Sequence, residues 1–455
     1  MTVASISPHS ASDDHAFSKF SRRGFLQAAG VGAAAWLWPA GRLLAAPQAT
    51  RPKVAAVFTE FTYRSHAHVI LENFLEKYYF NGKLTDPGVD VVAMYADQTP
   101  AGEMSKQVSA DYKIPIFESI HDALCVGGKE LAVDGVLSIG EHGDYPTNEL
   151  GQHMYPRKRF FDEIVAVMKK SGRFVPLFND KHLSYRWDWA KEMYDTAREL
   201  GIPFMAGSSV PLAERRPPLE LPDGAEVVEA VSIHGGGVES YDFHALEVLQ
   251  SMIESRKGGE TGVSQVEFLD TPALWKAARD GRWSIDLAEA ALEAELGRHP
   301  GKLEDYQDDP QQPAPAHGVL LTYKDGTRGL ALKLGNKNRW CFGCRVNGNS
   351  QPQTTTHHVG PWQNRNLFKA LSHAIQHHII HRRAPYPVER TLLVAGILDA
   401  EMHSRHEGGK VMNTPELEFG YEPIDFRAMR EMGESWKIIT EDVPEPPGIN
   451  PNGGK

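Results

Sequence analysis

Val54-Ala55-Ala56-Val57-Phe58, then Thr59-Glu60-Phe61-Thr62-Tyr63-Arg64, then Ser65-His66-Ala67-His68-Val69-Ile70-Leu71-Glu72-Asn73-Phe74-Leu75, decides how this chain folds. A short β-branched run reads as a buried strand, and the segment after it carries apolar residues at helical spacing. The helix is expected over Ser65–Phe80, with Val69, Phe74 and Leu75 on its apolar side and Asn81-Gly82 ending it. The same alternation recurs downstream. Strands are expected at Val89–Ala96, Ile114–Phe117, Val133–Ile139, Phe174–Phe178 and Pro203–Ala206, with helical segments between them, Trp187–Leu200 the clearest. Strands alternating with helices build βαβ units and a parallel sheet covered on both faces.

The character changes after Pro211–Gly224, a proline-rich stretch that reads as a linker. Glu226–Ile233 and Gln265–Leu269 read as strands around a helix at Tyr241–Ser255. Gly318–Tyr323 and Arg328–Leu334 flank Lys324-Asp325-Gly326-Thr327, where Asp-Gly signals a hairpin. Helices are expected over Trp362–Arg382 and Val388–His406. The organisation is therefore a leader at 1–50, a parallel-sheet domain at 51–212, an α+β domain at 213–420 built on a large, mostly antiparallel open sheet, and an extended tail at 421–455. The last helices are expected to pack back on the first domain.

The leader has its own pattern. Ser21-Arg22-Arg23-Gly24-Phe25-Leu26-Gln27 precedes an apolar run from Ala28 to Trp38 and the small residues of Leu43-Leu44-Ala45-Ala46. This order is that of a twin-arginine export signal, so the twin-arginine translocase is an expected partner and the periplasm an expected location. The apolar run is shorter than the roughly 20 residues that span a bilayer.

Composition narrows the function. A formal net charge of −11 argues against nucleic acid, whose phosphates need a basic face. Three cysteines among 455 residues make no disulfide scaffold. Cys341 and Cys344 form a lone Cys-Phe-Gly-Cys, read as a local structural pair, oxidised or not, ahead of a zinc site.

Open α/β sheets place their sites at the carboxyl ends of the strands. Glu141-His142-Gly143-Asp144 follows one expected strand and Asn179-Asp180-Lys181-His182 another, while His234 ends a third, with Glu239, Asp242 and His244 just beyond. Imidazoles and carboxylates in one place suit general acid–base work or divalent metal binding. His244 is the expected acid or base, Asp242 its orienting partner, His142 a second titrating group and Lys181 an oxyanion stabiliser. Glu141, His142, Asp180, His182 and His234 are the candidate metal ligands. His357-His358, His377-His378, His403 and His406 read as surface or packing residues.

The element order resembles the Gfo/Idh/MocA (glucose–fructose oxidoreductase / inositol dehydrogenase) family over roughly residues 53–420. Three stretches carry the resemblance: Ala384-Pro385-Tyr386-Pro387-Val388-Glu389-Arg390 leading to Gly396-Ile397-Leu398-Asp399-Ala400 and Gly408-Gly409-Lys410-Val411; the hairpin from Val319 to Leu334; and Gly235-Gly236-Gly237 before Asp242-Phe243-His244. The resemblance implies a Rossmann-like domain, a carbohydrate or cyclitol substrate, bound NAD or NADP, and a homo-oligomer formed through the C-terminal sheet. It also implies that Asp97, ending the second strand, stands where a ribose hydroxyl is held. The chain departs from the family in three places, one of them the helix motif, where the spacing around Asp242 and His244 is shortened and Glu247 stands where the family has an aspartate. The turn Thr59–His66 has no glycine where the pyrophosphate needs close backbone approach, and bulky Phe61 and Tyr63 with Glu60 are expected to fill that space. The family's Glu-Lys-Pro motif is missing, and Lys158 stands nearby as a helix-surface cation. The sequence is compatible with three functions: an oxidoreductase with an atypical or lost nucleotide site; a non-redox carbohydrate lyase, epimerase or hydrolase, with or without a metal; and a non-catalytic carbohydrate-binding protein.

Overall fold

A computed structural model describes residues 50–446 and 449, so the export signal lies outside the described residues. The first sheet joins Lys53–Phe58 (β1), Asp90–Ala96 (β2), Gly135–Ile139 (β3), Leu177–Asp180 (β4) and Phe204–Gly207 (β5). Their order is β2-β1-β3-β4-β5, all parallel. Five consecutive buried residues in β1 and five in β3 show why: only strands covered on both faces keep apolar side chains at every position. The strand order turns at β1, between β2 and β3, and there a crevice opens at the carboxyl ends. His66–Leu75 (α1) starts at that crevice, capped by Ser65, whose side chain accepts the His68 N–H. Arg157–Ser171 (α2) and Trp187–Glu199 (α3) cover the sheet.

The expected helix over Ser65–Phe80 stops at Leu75. Asn81-Gly82 turns a small hairpin of Tyr78–Phe80 and Lys83–Thr85, both turn residues at positive φ (47° and 73°), because Asn-Gly favours a primed two-residue turn over a helix stop. Ile114–Phe117 is no strand; it touches β2 through the single bridge Met94–Ile116, Pro115 having no N–H to extend a ladder.

The second sheet has eight strands. They are Glu214–Arg216 (β6), Val227–His234 (β7), Val263–Leu269 (β8), His317–Tyr323 (β9), Arg328–Lys333 (β10), Cys341–Val346 (β11), Gln353–His358 (β12) and Met412–Asn413 (β13), ordered β13-β8-β9-β10-β7-β11-β12-β6. Every pairing is antiparallel except β10 with β7. The stretch read as a linker supplies the edge strand β6, which ends at Pro217, where a ladder N–H is lost.

Asp242–Ile253 (α4) packs on β7 and β10 on the inner face. Thr271–Arg279 (α5) and Ile285–Leu296 (α6), two helices not read from the sequence, cover the outer face. Leu274, Trp275, Leu287, Ala288, Ala291 and Leu292 there bury Val231, Ile233, Leu330, Leu332 and Cys341. The central strands are thus covered on both faces. Cys341 and Cys344 are both free; three positions apart on one strand, they point to opposite faces and cannot pair. Asn364–His381 (α7) packs on α1, and Val388–His406 (α8) touches β8, α4, α3 and β5, tying the two sheets together. The chain from Arg51 onward is one compact unit.

Candidate functional site

A recess of about 350 Å³ lies at the carboxyl ends of β1, β3 and β4, closed by the start of α4 and by Trp340 and Phe368. Arg64, His66, Glu141, His142, His153, Tyr155, Lys181, His182, Glu239, Tyr241 and His244 line it. Four of the nine described non-glycine residues at positive φ fall here: Arg64, His142, Lys181 and Glu239. A left-handed side-chain-bearing residue is strained by about 1 kcal/mol or more, and such strain gathers where a side chain must be aimed.

Each charged group has a fixed partner. Glu141 is buried between Lys181 (2.8 Å) and Arg157. Burial pushes its carboxyl up, but those two cations outweigh it and hold it well below the usual range. Lys181 also donates to the Ser240 carbonyl (3.1 Å). Arg64 pairs with Glu445 of the tail and donates to Asn364 (3.0 Å), so this part of the tail is tied down.

His66 Nδ1 lies 2.6 Å from Asp180, to which it donates, leaving Nε2 with the lone pair. The His142 Nδ1 accepts the His66 backbone N–H (3.4 Å), so its Nε2 carries the proton. Burial, reinforced by His66, lowers His142 to about 4. His244 shares a 2.7 Å hydrogen bond with Ser208 and is likewise held neutral, by burial and then by Lys181. Glu239 accepts the His153 N–H (3.2 Å), and burial raises its carboxyl to about 7. The recess therefore joins a basic ring nitrogen, neutral imidazoles, an ammonium and an acid that keeps its proton near neutrality.

Asp242 does not orient His244. Two positions apart on a helix, their side chains diverge. Asp242 instead accepts from His234 Nε2 (2.9 Å) and His317 Nε2 (2.8 Å) on one oxygen and from the Glu239 N–H (2.9 Å) on the other. The aspartate–imidazole pair facing the recess is Asp180–His66. The signal for it in the sequence is a histidine directly after the N-cap serine at the switch point.

The candidate metal ligands do not converge. Glu141 is held by cations, and Asp180 by His66. His182 donates through Nδ1 to the Ser184 carbonyl (2.7 Å) and receives Arg157 at Nε2 (3.2 Å), leaving no lone pair. The group of ligand atoms close enough for an ion among the described residues is His234, Asp242 and His317. There the Gly236 N–H donates to His234 Nδ1 (3.3 Å), so Nε2 carries the proton it gives to Asp242. That is the tautomer of a hydrogen-bonded cluster rather than of a metal ligand.

The crevice at β1 is bridged. Asp97 accepts from Tyr95 (2.7 Å), Tyr145 (2.6 Å) and Arg159 (2.6 Å); burial opposes these bonds, and they still hold its carboxyl low. The residue expected at a ribose hydroxyl is thus already engaged by three protein donors. Gln98 and Asp144 exchange two hydrogen bonds, the Asp144 N–H to Oε1 (2.8 Å) and Nε2 to the Asp144 carbonyl (2.9 Å). Since β2 and β3 flank β1, the segment 141–145 crosses over the end of β1. Phe61 does not fill this space. It is buried in the core, edge-on to Phe58 (5.5 Å), while Tyr63 turns outward to Glu445 (3.1 Å).

Lys158 bonds Asp162 (2.7 Å) and Glu192 (3.1 Å) on the helix surface. His357 and His378 are buried packing residues, and His403 is half-exposed near Asp399. The glycine run has a packing reason: a Cβ on Gly235 would meet the Lys337 carbonyl at 2.0 Å, and one on Gly236 the Tyr241 ring at 2.0 Å. A larger recess, about 620 Å³, holds Arg256, Arg427 and Arg430, each already matched by Glu260, Asp425 and Glu220.

No protein-family model matches the chain, and no curated protein matches it. Among solved structures it resembles apo scyllo-inositol dehydrogenase from Lactobacillus casei (TM-score 0.50, 10% identity, 80% of this chain and 98% of that one). It also resembles myo-inositol 2-dehydrogenase from Lactobacillus plantarum (TM-score 0.50, 11% identity, 80% of this chain and 99% of that one). The fold is thus shared with these two dehydrogenases, a parallel-sheet domain followed by a large mixed sheet. At this identity the likeness concerns the fold alone.

Proposed function

We propose that this scaffold carries a non-redox acid–base enzyme for a carbohydrate or cyclitol, of the epimerase or lyase kind. The observation behind it is the convergence on one recess of the Asp180–His66 pair, Lys181 and the proton-bearing Glu239, three of these set by left-handed or cap-adjacent backbone. NAD or NADP does not fit the crevice, because the 141–145 crossing takes the path a dinucleotide follows over β1, and three donors already engage Asp97.

In this reading His66 Nε2 takes a proton from carbon next to a carbonyl, and the C–H electron pair moves to the carbonyl oxygen. The Lys181 ammonium, with a third N–H left over, stabilises that oxyanion. Glu239 then gives its proton to carbon, which inverts the centre, or to a departing β-hydroxyl, which leaves as water. The next turnover regenerates both groups through solvent. Asp180 holds the His66 tautomer, and His142 Nε2–H and His244 orient hydroxyls.

The test is proton exchange. Purified protein is incubated in D2O with a panel of ketoses, aldoses and inososes, and loss of C–H signal is followed by NMR. A substrate-dependent loss that falls about 100-fold or more in His66→Ala supports the reading. Nicotinamide nucleotide released stoichiometrically on denaturation overturns it in favour of a dehydrogenase, and saccharide binding without exchange overturns it in favour of a binding protein. We also propose that the Arg22-Arg23 leader directs export, which cell fractionation with and without Arg22→Lys/Arg23→Lys reads directly.

A further inference from the structure

Glu239 is the recess residue with the least local reason for its geometry. It is 5% exposed, its φ is 65°, and neither glycine nor asparagine stands there to ease the conformation. What holds it is one residue three positions on. Asp242 Oδ2 accepts the Glu239 N–H at 2.9 Å, while Oδ1 accepts two imidazole N–H groups. Those imidazoles come from neighbouring places in the sheet. His317, Lys333 and His234 face one another across β9, β10 and β7, so they share the inner face. Lys333 reaches away to the Pro315 carbonyl (2.7 Å), and the two rings close on Asp242. Glu401 of α8 lies against the same carboxylate, fully buried, with no donor reaching either of its oxygens. Burial and then the Asp242 charge push the Glu401 carboxyl well above the usual range, so Glu401 keeps the proton and Asp242 the charge.

We propose that Asp242, clamped by His234 and His317, is the positioning residue that holds Glu239 left-handed with its carboxyl turned into the recess. Asp242 does not line the recess; it acts through the Glu239 backbone. The cluster transmits the rigidity of the sheet to a loop residue, which a catalytic acid requires and a loop alone does not supply. The inference rests on reading Glu239 as the acid, and it concerns that group's placement rather than the reaction.

The groups facing Glu239 are the His153 N–H, Arg157, Glu141, Lys181 and, from α8, Glu401; all are retained in the test, so a change in its titration reports its surroundings. The full chain is labelled with 13C at glutamate side-chain carboxyl carbons. Glu239→Gln assigns one resonance titrating at about 7, and Glu247→Gln assigns the other, the buried Glu247 also titrating at about 7. In Asp242→Asn the Glu239 resonance is expected to fall towards the ordinary 4.5 while that of Glu247 stays. A Glu239 resonance still titrating at about 7, or both falling together, overturns the proposal, the second because it reports general loosening. Should Asp242→Asn not fold, His317→Gln keeps one N–H for the carboxylate, and a smaller fall of Glu239 alone is expected. Failure of the exchange assay with this NMR result intact would remove the proposed chemistry and leave the positioning role standing.

Discussion

Replacing Glu239 by glutamine changes stability in a way that depends on pH, and the size follows from its surroundings. Burial in the recess raises the Glu239 carboxyl from 4.5 to about 7. The folded state thus prefers the protonated form. That preference is whole below the unfolded value near 4.5 and is lost as pH rises through 7, where burying the charged carboxylate begins to count against folding. A displacement of this size corresponds to about 3 kcal/mol above pH 8. Glutamine has the same shape and no charge to desolvate. Glu239→Gln is therefore expected to match the parent near pH 4 and to exceed it by about 3 kcal/mol at pH 8. With an unfolding entropy of about 0.8 kcal/mol per kelvin for a chain of this size, the gap in Tm opens to about 3–4 °C. Melting curves of both proteins at half-unit pH steps from 4 to 8.5 give the difference directly. A gap independent of pH, or one that closes as pH rises, would refute the placement of an uncompensated carboxyl in this recess.

Two further outcomes test other parts of the structure. Asp180→Asn leaves the shape of the recess but removes the charge that holds the His66 tautomer, so the exchange rate should fall at least about 10-fold with KM little changed, read by initial rates. Arg390 is buried against Glu254 (2.8 Å through Nε), so Arg390→Ala strands a buried carboxylate and should destabilise by about 3–5 kcal/mol in urea unfolding.

The strands of the first sheet and the four central strands β7 to β10 of the second are readable because they depend on local pattern, whereas β6, β11, β12 and β13 are short or irregular in pattern and are not. β1 and β3 are apolar throughout, and Asp325-Gly326 marks its hairpin, so strand positions follow from a few residues each. The strand-end polar groups were readable for the same reason: Asp180 ends β4, Lys181 follows it, and Glu141 and His142 lie just past β3. Their pairing was not. Asp242 meets His317 across 75 residues, and Asp97 meets Tyr145 across 48, contacts that only the closed fold creates. His66 was obscured because its turn was judged by the glycines it lacks, although the helix start put a histidine at the crevice. The outer helices carried a legible signal in Leu287, Ala288, Ala291 and Leu292, which repeat at helical spacing.

Arg64, His142, Lys181 and Glu239 share one backbone signature. At His142 and Glu239, whose side chains hold no ion pair, glycine would relax the chain without stranding a buried charge, so a laboratory campaign that screens random variants only for heat resistance should enrich glycine at these two addresses. The survivors would be sturdier and inert. For this protein, any thermal selection needs a counter-screen that keeps these two side chains in place.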